Sequence, residues 1–184
     1  PRNPSSYYNL GNIYSRRGRY PEAIEAFEHA IALKPEFAIV HNNLGLVYYR
    51  QGQFTRAADE FLSALDVDPN LFEPHFNLGN LALARDDFEE ATVEYAQAIR
   101  LNPGYAPAQH HLGTAYAQLG RLREAVAALQ AALRLRPDSA EILNDLGSTL
   151  VKQERWEQAL EVYRRALQID PASAQVHYNL GVVL

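Results

Sequence analysis

The 184-residue chain contains no cysteine, no methionine and a single tryptophan. Without cysteine there is no disulfide framework, no thiolate nucleophile and no cysteine zinc site, and the redox compartment stays open. No apolar run approaches the ~18 residues needed to cross a bilayer, and no charged-then-apolar segment opens the chain. It therefore reads as soluble, without membrane insertion and with a cytoplasmic location favoured. Positive charge is short too: 17 Lys and Arg stand against 22 Asp and Glu, a formal charge of -5. A nucleic-acid partner needs a local excess of cations, so none is expected. Gly-rich phosphate loops, G-x-S-x-G elbows and H-E-x-x-H pairs are absent. The chain is accordingly read as non-enzymatic, with no cofactor and no metal. What is present is an ordinary globular composition, 47% hydrophobic and 21% charged, long enough to bury a core.

Self-similarity organises that composition. Leu-Gly pairs fall at Leu10-Gly11, Leu44-Gly45, Leu78-Gly79, Leu112-Gly113, Leu146-Gly147 and Leu180-Gly181, always 34 residues apart. In the same register stand Ala23, Ala57, Ala91, Ala125 and Ala159, then Ala30, Ala64, Ala98, Ala132 and Ala166, then Pro35, Pro69, Pro103, Pro137 and Pro171. A large apolar residue recurs as Tyr20, Phe54, Phe88, Leu122 and Trp156, and a mainly aromatic one as Phe27, Phe61, Tyr95, Leu129 and Tyr163. Within a unit, apolar residues three and four apart mark amphipathic helices. Each unit predicts two, about 4–17 and 21–33 in the first. Gly18, Gly52 and Gly120 suit a left-handed residue closing the first helix. Asp86 and Glu154 stand there in units three and five, and Glu154 predicts strain or a rearranged turn. Pro35 and its counterparts end the second helix. Gly11 and Ala23 lack bulk, which predicts a close approach of the paired helices with Tyr20 and Phe27 filling the flanks, and Ala30 acting likewise against the next unit.

These residues resemble the tetratricopeptide repeat, whose pattern is met in the first unit by Tyr7, Leu10, Gly11, Tyr14, Ala23, Phe27, Ala30 and Pro35. The resemblance covers repeats 4–37, 38–71, 72–105, 106–139 and 140–173, with a partial sixth over 174–184, in one array spanning 1–184. It implies an all-α, right-handed α-solenoid of antiparallel helix pairs, a superhelix with an extended concave surface lined by the first helices. Departures include His41, His75, Gln109 and His177 at the opening aromatic position, and Ala82 opposite Tyr14 and Tyr48.

On that inner surface, the position two before the glycine is held by Asn9, Asn43, Asn77, His111, Asp145 and Asn179. Asparagine is a mediocre helix former, so helix propensity does not account for the column. A carboxamide can bond the main chain of any extended peptide; equally, it can bond a neighbouring helix. Both readings stand. The Asn-Leu-Gly form looks like the asparagine ladder of O-linked N-acetylglucosamine transferases, which implies backbone recognition of a substrate, and it is also common in tetratricopeptide repeats generally. Flanking positions add Tyr8, Phe76, Asn12 and Asn80, while Arg16 and Arg50 make one end basic. The expected groove for an extended peptide or partner protein thus comprises Tyr8, Asn9, Asn12, Arg16, Asn43, Arg50, Phe76, Asn77, Asn80, His111 and Asn179. An alternative is the substrate-recruiting array of a larger enzyme such as a glycosyltransferase. Family members that clamp acidic chaperone tails use two lysines, two asparagines and an arginine. Asn12 and Asn43 match the asparagines, but Tyr8, Glu73 and Asn77 fill the basic positions, which argues against that role.

The six histidines do not form a chelating pattern. His41, His75 and His177 fall in an aromatic column, predicting half-buried packing. His110 and His111 are adjacent and point about 100° apart, and His29 lies on a solvated face beside Glu25 and Glu28. Charge alternates between repeats: residues 72–105 hold two arginines against six carboxylates, and residues 106–139 four against two. That asymmetry opens a third possibility, self-association through complementary charge patches or through an uncapped C-terminal edge bearing Tyr178, Leu180, Val183 and Leu184, in a structural scaffold. Because the chain starts at Pro1 and stops inside a repeat, its ends are read as those of an excised piece.

Overall fold

The computed structural model describes residues 3–184. Among them are eleven α-helices and no strand: α1 (Pro4–Arg16), α2 (Tyr20–Leu33), α3 (Ala38–Arg50), α4 (Phe54–Val67), α5 (Phe72–Leu83), α6 (Phe88–Leu101), α7 (Ala106–Gln118), α8 (Leu122–Leu135), α9 (Ala140–Lys152), α10 (Trp156–Ile169) and α11 (Ala174–Val183). Odd-numbered helices are the first of each pair. Side-chain caps start some of them. Asn3 Oδ1 accepts from Ser5 N (2.9 Å), Asp87 Oδ1 from Glu90 N (3.0 Å) and Ser139 Oγ from Ile142 N (3.3 Å), each satisfying an amide that the helix leaves open.

The turn inside a pair is a Schellman closure. Gly18 N donates to Ser15 O (3.1 Å) and Arg19 N to Tyr14 O (3.0 Å), with Gly18 at φ 71°. Asp86 and Glu154 adopt the same left-handed conformation, at φ 57° and 60°. The turn near Glu154 is not rearranged. Glu154 N and Arg155 N reach Val151 O (2.9 Å) and Leu150 O (3.0 Å), the pattern glycine makes at the other turns, so the first-named expectation, strain, is the one that applies. Between pairs, the residue before each proline is extended, as in Lys34 at φ -149° and Asp170 at φ -126°.

Packing follows the small-residue columns. The ten repeated alanines of the second helices are all completely buried, and so are Phe27, Phe61, Tyr95 and Leu129. The aromatic does not flank the glycine, as the sequence suggested, but lies on it. A methyl group built at Gly11 would sit 2.5 Å from Phe27 Cε1, one at Gly45 2.6 Å from Phe61 Cε1, and one at Gly113 2.7 Å from Leu129 Cγ. The Tyr20 column instead reaches the rim, with Phe54 37% and Trp156 44% exposed.

The chain divides into two compact units, Pro1–Arg85 and Asp86–Leu184, with the boundary in the turn of repeat three. In the first unit, α2 packs on α1 and α3, and α4 on α3 and α5. In the second, the same succession runs from α6 through α11. Each is a short stack of helix pairs with a core between neighbours.

Candidate interaction surface on the first helices

In the first unit, the side chains around the Leu-Gly pairs join into a polar strip across α1, α3 and α5. Asn77 Nδ2 donates to Asn42 Oδ1 (2.9 Å), Asn42 Nδ2 to Asn43 Oδ1 (3.3 Å), and Asn43 Nδ2 to Asn12 Oδ1 (2.8 Å). A second bond from Asn43 Nδ2 reaches the Tyr8 hydroxyl at 3.4 Å. Asn42 and Asn77 are buried, at 2% and 7% exposure, so pairing relieves the cost of desolvating their amides. Both hydrogens of Asn43 Nδ2 thus bind protein. Asn9, by contrast, is exposed, and Asn12 is half-buried with its amide hydrogens unpartnered among the described residues. Arg16 is exposed at the end of α1. Arg50 donates to Ser15 Oγ at 3.2 Å, which sets its guanidinium over the start of the strip. The Tyr8 ring rests 5.5 Å from that of Phe37, and Phe76 and Asn80 are half-buried on α5.

The second unit carries an equivalent strip on α7, α9 and α11. Asn179 Nδ2 donates to Asn144 Oδ1 (2.8 Å) and to Ser148 Oγ (3.4 Å), Asn144 Nδ2 to Asp145 Oδ1 (3.5 Å), and Asp145 Oδ2 pairs with His110 Nε2 (2.7 Å). His111 is half-buried, stacked on Tyr95 with centroids 5.6 Å apart. Burial holds its pKa below the ordinary histidine value, aided by neighbouring His110.

Asn42, His110, Asn144 and Ser148 were not among the expected site residues. For Asn42, His110 and Asn144 the signal was present as a 35-residue spacing, and Ser148 joins through a 31-residue spacing to Asn179. The position three before one glycine bonds the position two before the next, as 42–77, 110–145 and 144–179. Reading the two columns separately concealed that pairing.

The remaining histidines differ among themselves. His41 is half-buried and its Nδ1 lies 2.7 Å from Glu60 Oε2 on α4; the carboxylate raises its pKa, with burial opposing. His75 is half-buried. His177 departs from the expectation of half-burial. It is exposed, and its Nε2 lies 2.9 Å from Pro171 O. His29 is exposed, its ring 5.1 Å from that of Tyr7. Among the described residues no three His, Asp or Glu side chains are grouped to hold a metal, and no helix is long and apolar enough to cross a membrane.

Helix pairs recurring every 34 residues, with a large side chain of the second helix laid on the glycine of the first, as at Gly11, Gly45, Gly113 and Gly147, and buried alanines on the second helix, define the tetratricopeptide-repeat class of α-solenoid. The chain belongs to the family described as the cilia and flagella-associated protein 70 C-terminal domain, whose model matches residues 2–184. Comparison with curated proteins finds no match. Among solved structures, the chain is similar to YrrB, described as a TPR protein with an unusual peptide-binding site, at 24% identity over 94% of this chain and 89% of that one, TM-score 0.79. It is similar to TTC0263, a thermophilic TPR protein of Thermus thermophilus, at 25% identity over 98% of both chains, TM-score 0.70. It is also similar to MamA of Desulfovibrio magneticus RS-1 at 22% identity over 93% of this chain and 97% of that one, TM-score 0.82. Family and fold are those of protein-interaction modules, and the chain is a protein-interaction scaffold.

Proposed function

We propose that the first-helix face binds an extended peptide or an extended segment of a partner protein, with the first unit as the main site. The observation that carries this is the strip across α1, α3 and α5, in which linked carboxamides hold Asn12 and Tyr8 in place through Asn43 beside the exposed Asn9 and Arg16. Asn43 and Asn77 act mainly by holding that strip together, since Asn43 already donates twice to protein and buried Asn77 donates to Asn42. Asn9 and Asn12 supply carboxamides to a ligand main chain, Tyr8 and Phe76 supply apolar anchors, and Arg16 with Arg50 sets a preference for an acidic or carboxy-terminal end. In the second unit His111 and Asn179 extend the same kind of surface. YrrB, described as peptide-binding, lends support from the same fold. A peptide-library screen tests the site when repeated on Asn9→Ala with Asn12→Ala. Binding should fall at least several-fold with only a modest drop in the thermal melt, because Asn12→Ala also removes the acceptor of Asn43 Nδ2, whereas undiminished binding by the folded variant moves the site off this face.

A further inference from the structure

A different surface lies at the turns of the second unit. Between the start of α8 and the turn joining α9 to α10 runs a groove of about 690 Å³. Its floor is apolar, from Leu122 and buried Val126, and its rim carries Arg121, Arg123 and Arg155 against one carboxylate, Glu124. Two of the guanidiniums are held in place. Arg121 lies 4.5 Å over the Tyr116 ring and its Nε donates to Glu124 Oε1 at 3.0 Å. Arg155 Nη1 donates to Gln153 Oε1 at 2.8 Å. Arg123 is exposed and makes no hydrogen bond or ion pair among the described residues. Pre-positioned guanidiniums lose little freedom when a carboxylate arrives, which favours arginine at such sites.

The complementary surface is on the same unit. The turn that opens α6 bears Asp86, Asp87, Glu89 and Glu90, all exposed, so four of five successive residues are carboxylates. Asp87 Oδ1 caps Glu90 N, which fixes the path of the turn. Both features lie at turns leading from a first into a second helix, so an antiparallel pair of copies can seat each acidic turn in the other's groove. Such an isologous contact forms twice about one two-fold axis.

We propose that the arginine-rimmed groove receives the acidic turn 86–90 of a second copy of this chain, producing a salt-sensitive two-fold dimer. This does not depend on the first-helix face binding a peptide. Exposed ion pairs are individually weak and screened, so the dimer forms at high protein concentration and low ionic strength.

Sedimentation velocity across a concentration series, at about 10 mM and about 1 M salt, spans Debye lengths of about 30 Å and about 3 Å. The expected result is a dimer growing with concentration at low salt and a monomer at high salt. Arg123→Glu with Arg155→Glu should be monomeric at low salt, and so should Glu89→Arg with Glu90→Arg. An equimolar mixture of these two folded variants should regain the dimer, because both contacts are then complementary. A monomer at low salt throughout the series overturns the proposal. So does a dimer that survives either variant or about 1 M salt, which would assign association to the exposed apolar residues Tyr178 and Val182 of α11 and Leu184 just after it.

Discussion

Glu154 holds φ at 60° where three of the other four turns have glycine and the fourth an aspartate. A Cβ in that conformation crowds the following carbonyl, at about 1–2 kcal/mol for an ordinary L-residue. Glu154→Gly should therefore raise stability by about 1 kcal/mol, read as a higher denaturant midpoint with an unchanged slope; a lower midpoint would mean that the glutamate side chain contributes more than its strain costs. The opposite case is Gly45, where an added methyl meets Phe61 Cε1 at 2.6 Å and Ala57 O at 3.1 Å. One of those neighbours is backbone and cannot swing aside, so Gly45→Val should destabilise by about 1–3 kcal/mol. A thermal melt equal to wild type would contradict the close approach. Both positions were legible in the sequence, since a fixed period exposes an odd residue in any column. What the columns did not say is which partner fills the space over the glycine: Phe27 and its counterparts do, whereas Tyr20 and its counterparts reach the rim. Periodicity reports that a position is small or large, and only the helix crossing decides what it touches.

The first helices are joined through side chains as well as through the core. In the polar strips an asparagine donor on one first helix meets an acceptor on the preceding one, while His110 pairs with Asp145 of the following one, and these bonds hold successive repeats in register. The sequence displayed the asparagine column but not its use, because a carboxamide has the same chemistry whether it faces a ligand or a neighbour. The 42–77 and 144–179 bonds show the neighbour; Asn9 and the free amide of Asn12 leave room for a ligand. A second link within a pair, His41 to Glu60, carries a pH dependence. The carboxylate raises the folded-state pKa of His41, so its contribution is full below the ordinary histidine value of about 6.5 and is lost as pH rises through the folded value. His111 has the opposite sign: burial lowers its folded pKa, and its contribution is lost as pH falls below about 6.5. Comparing wild type with Glu60→Gln isolates the first. Wild type should lose more stability than the variant in urea melts between about pH 6 and pH 9, and parallel curves would show that the pair contributes nothing through ionisation.

Stability in each unit comes from neighbour-to-neighbour packing repeated along a stack, not from one central core. This was the most legible property of the chain, because 34-residue columns can be counted without any structural knowledge. The division between Arg85 and Asp86 was not legible there: it falls inside repeat three, and the repeat pattern runs through it unbroken. Nine of the eleven residues expected to line the groove lie in the first unit, on α1, α3 and α5, and only His111 and Asn179 lie in the second. The proposed peptide site therefore falls chiefly in the first unit, and the proposed charge-driven pairing at the turns of the second. The most direct test of the binding face is backbone and side-chain amide NMR of the labelled chain, titrated with a peptide selected from a library. The expected result is shifts concentrated on the Asn9 and Asn12 carboxamides, with smaller ones at Asn43 and Asn77. Shifts confined to second-helix residues such as Glu28, Asp59 and Glu60, with those carboxamides unmoved, would contradict it.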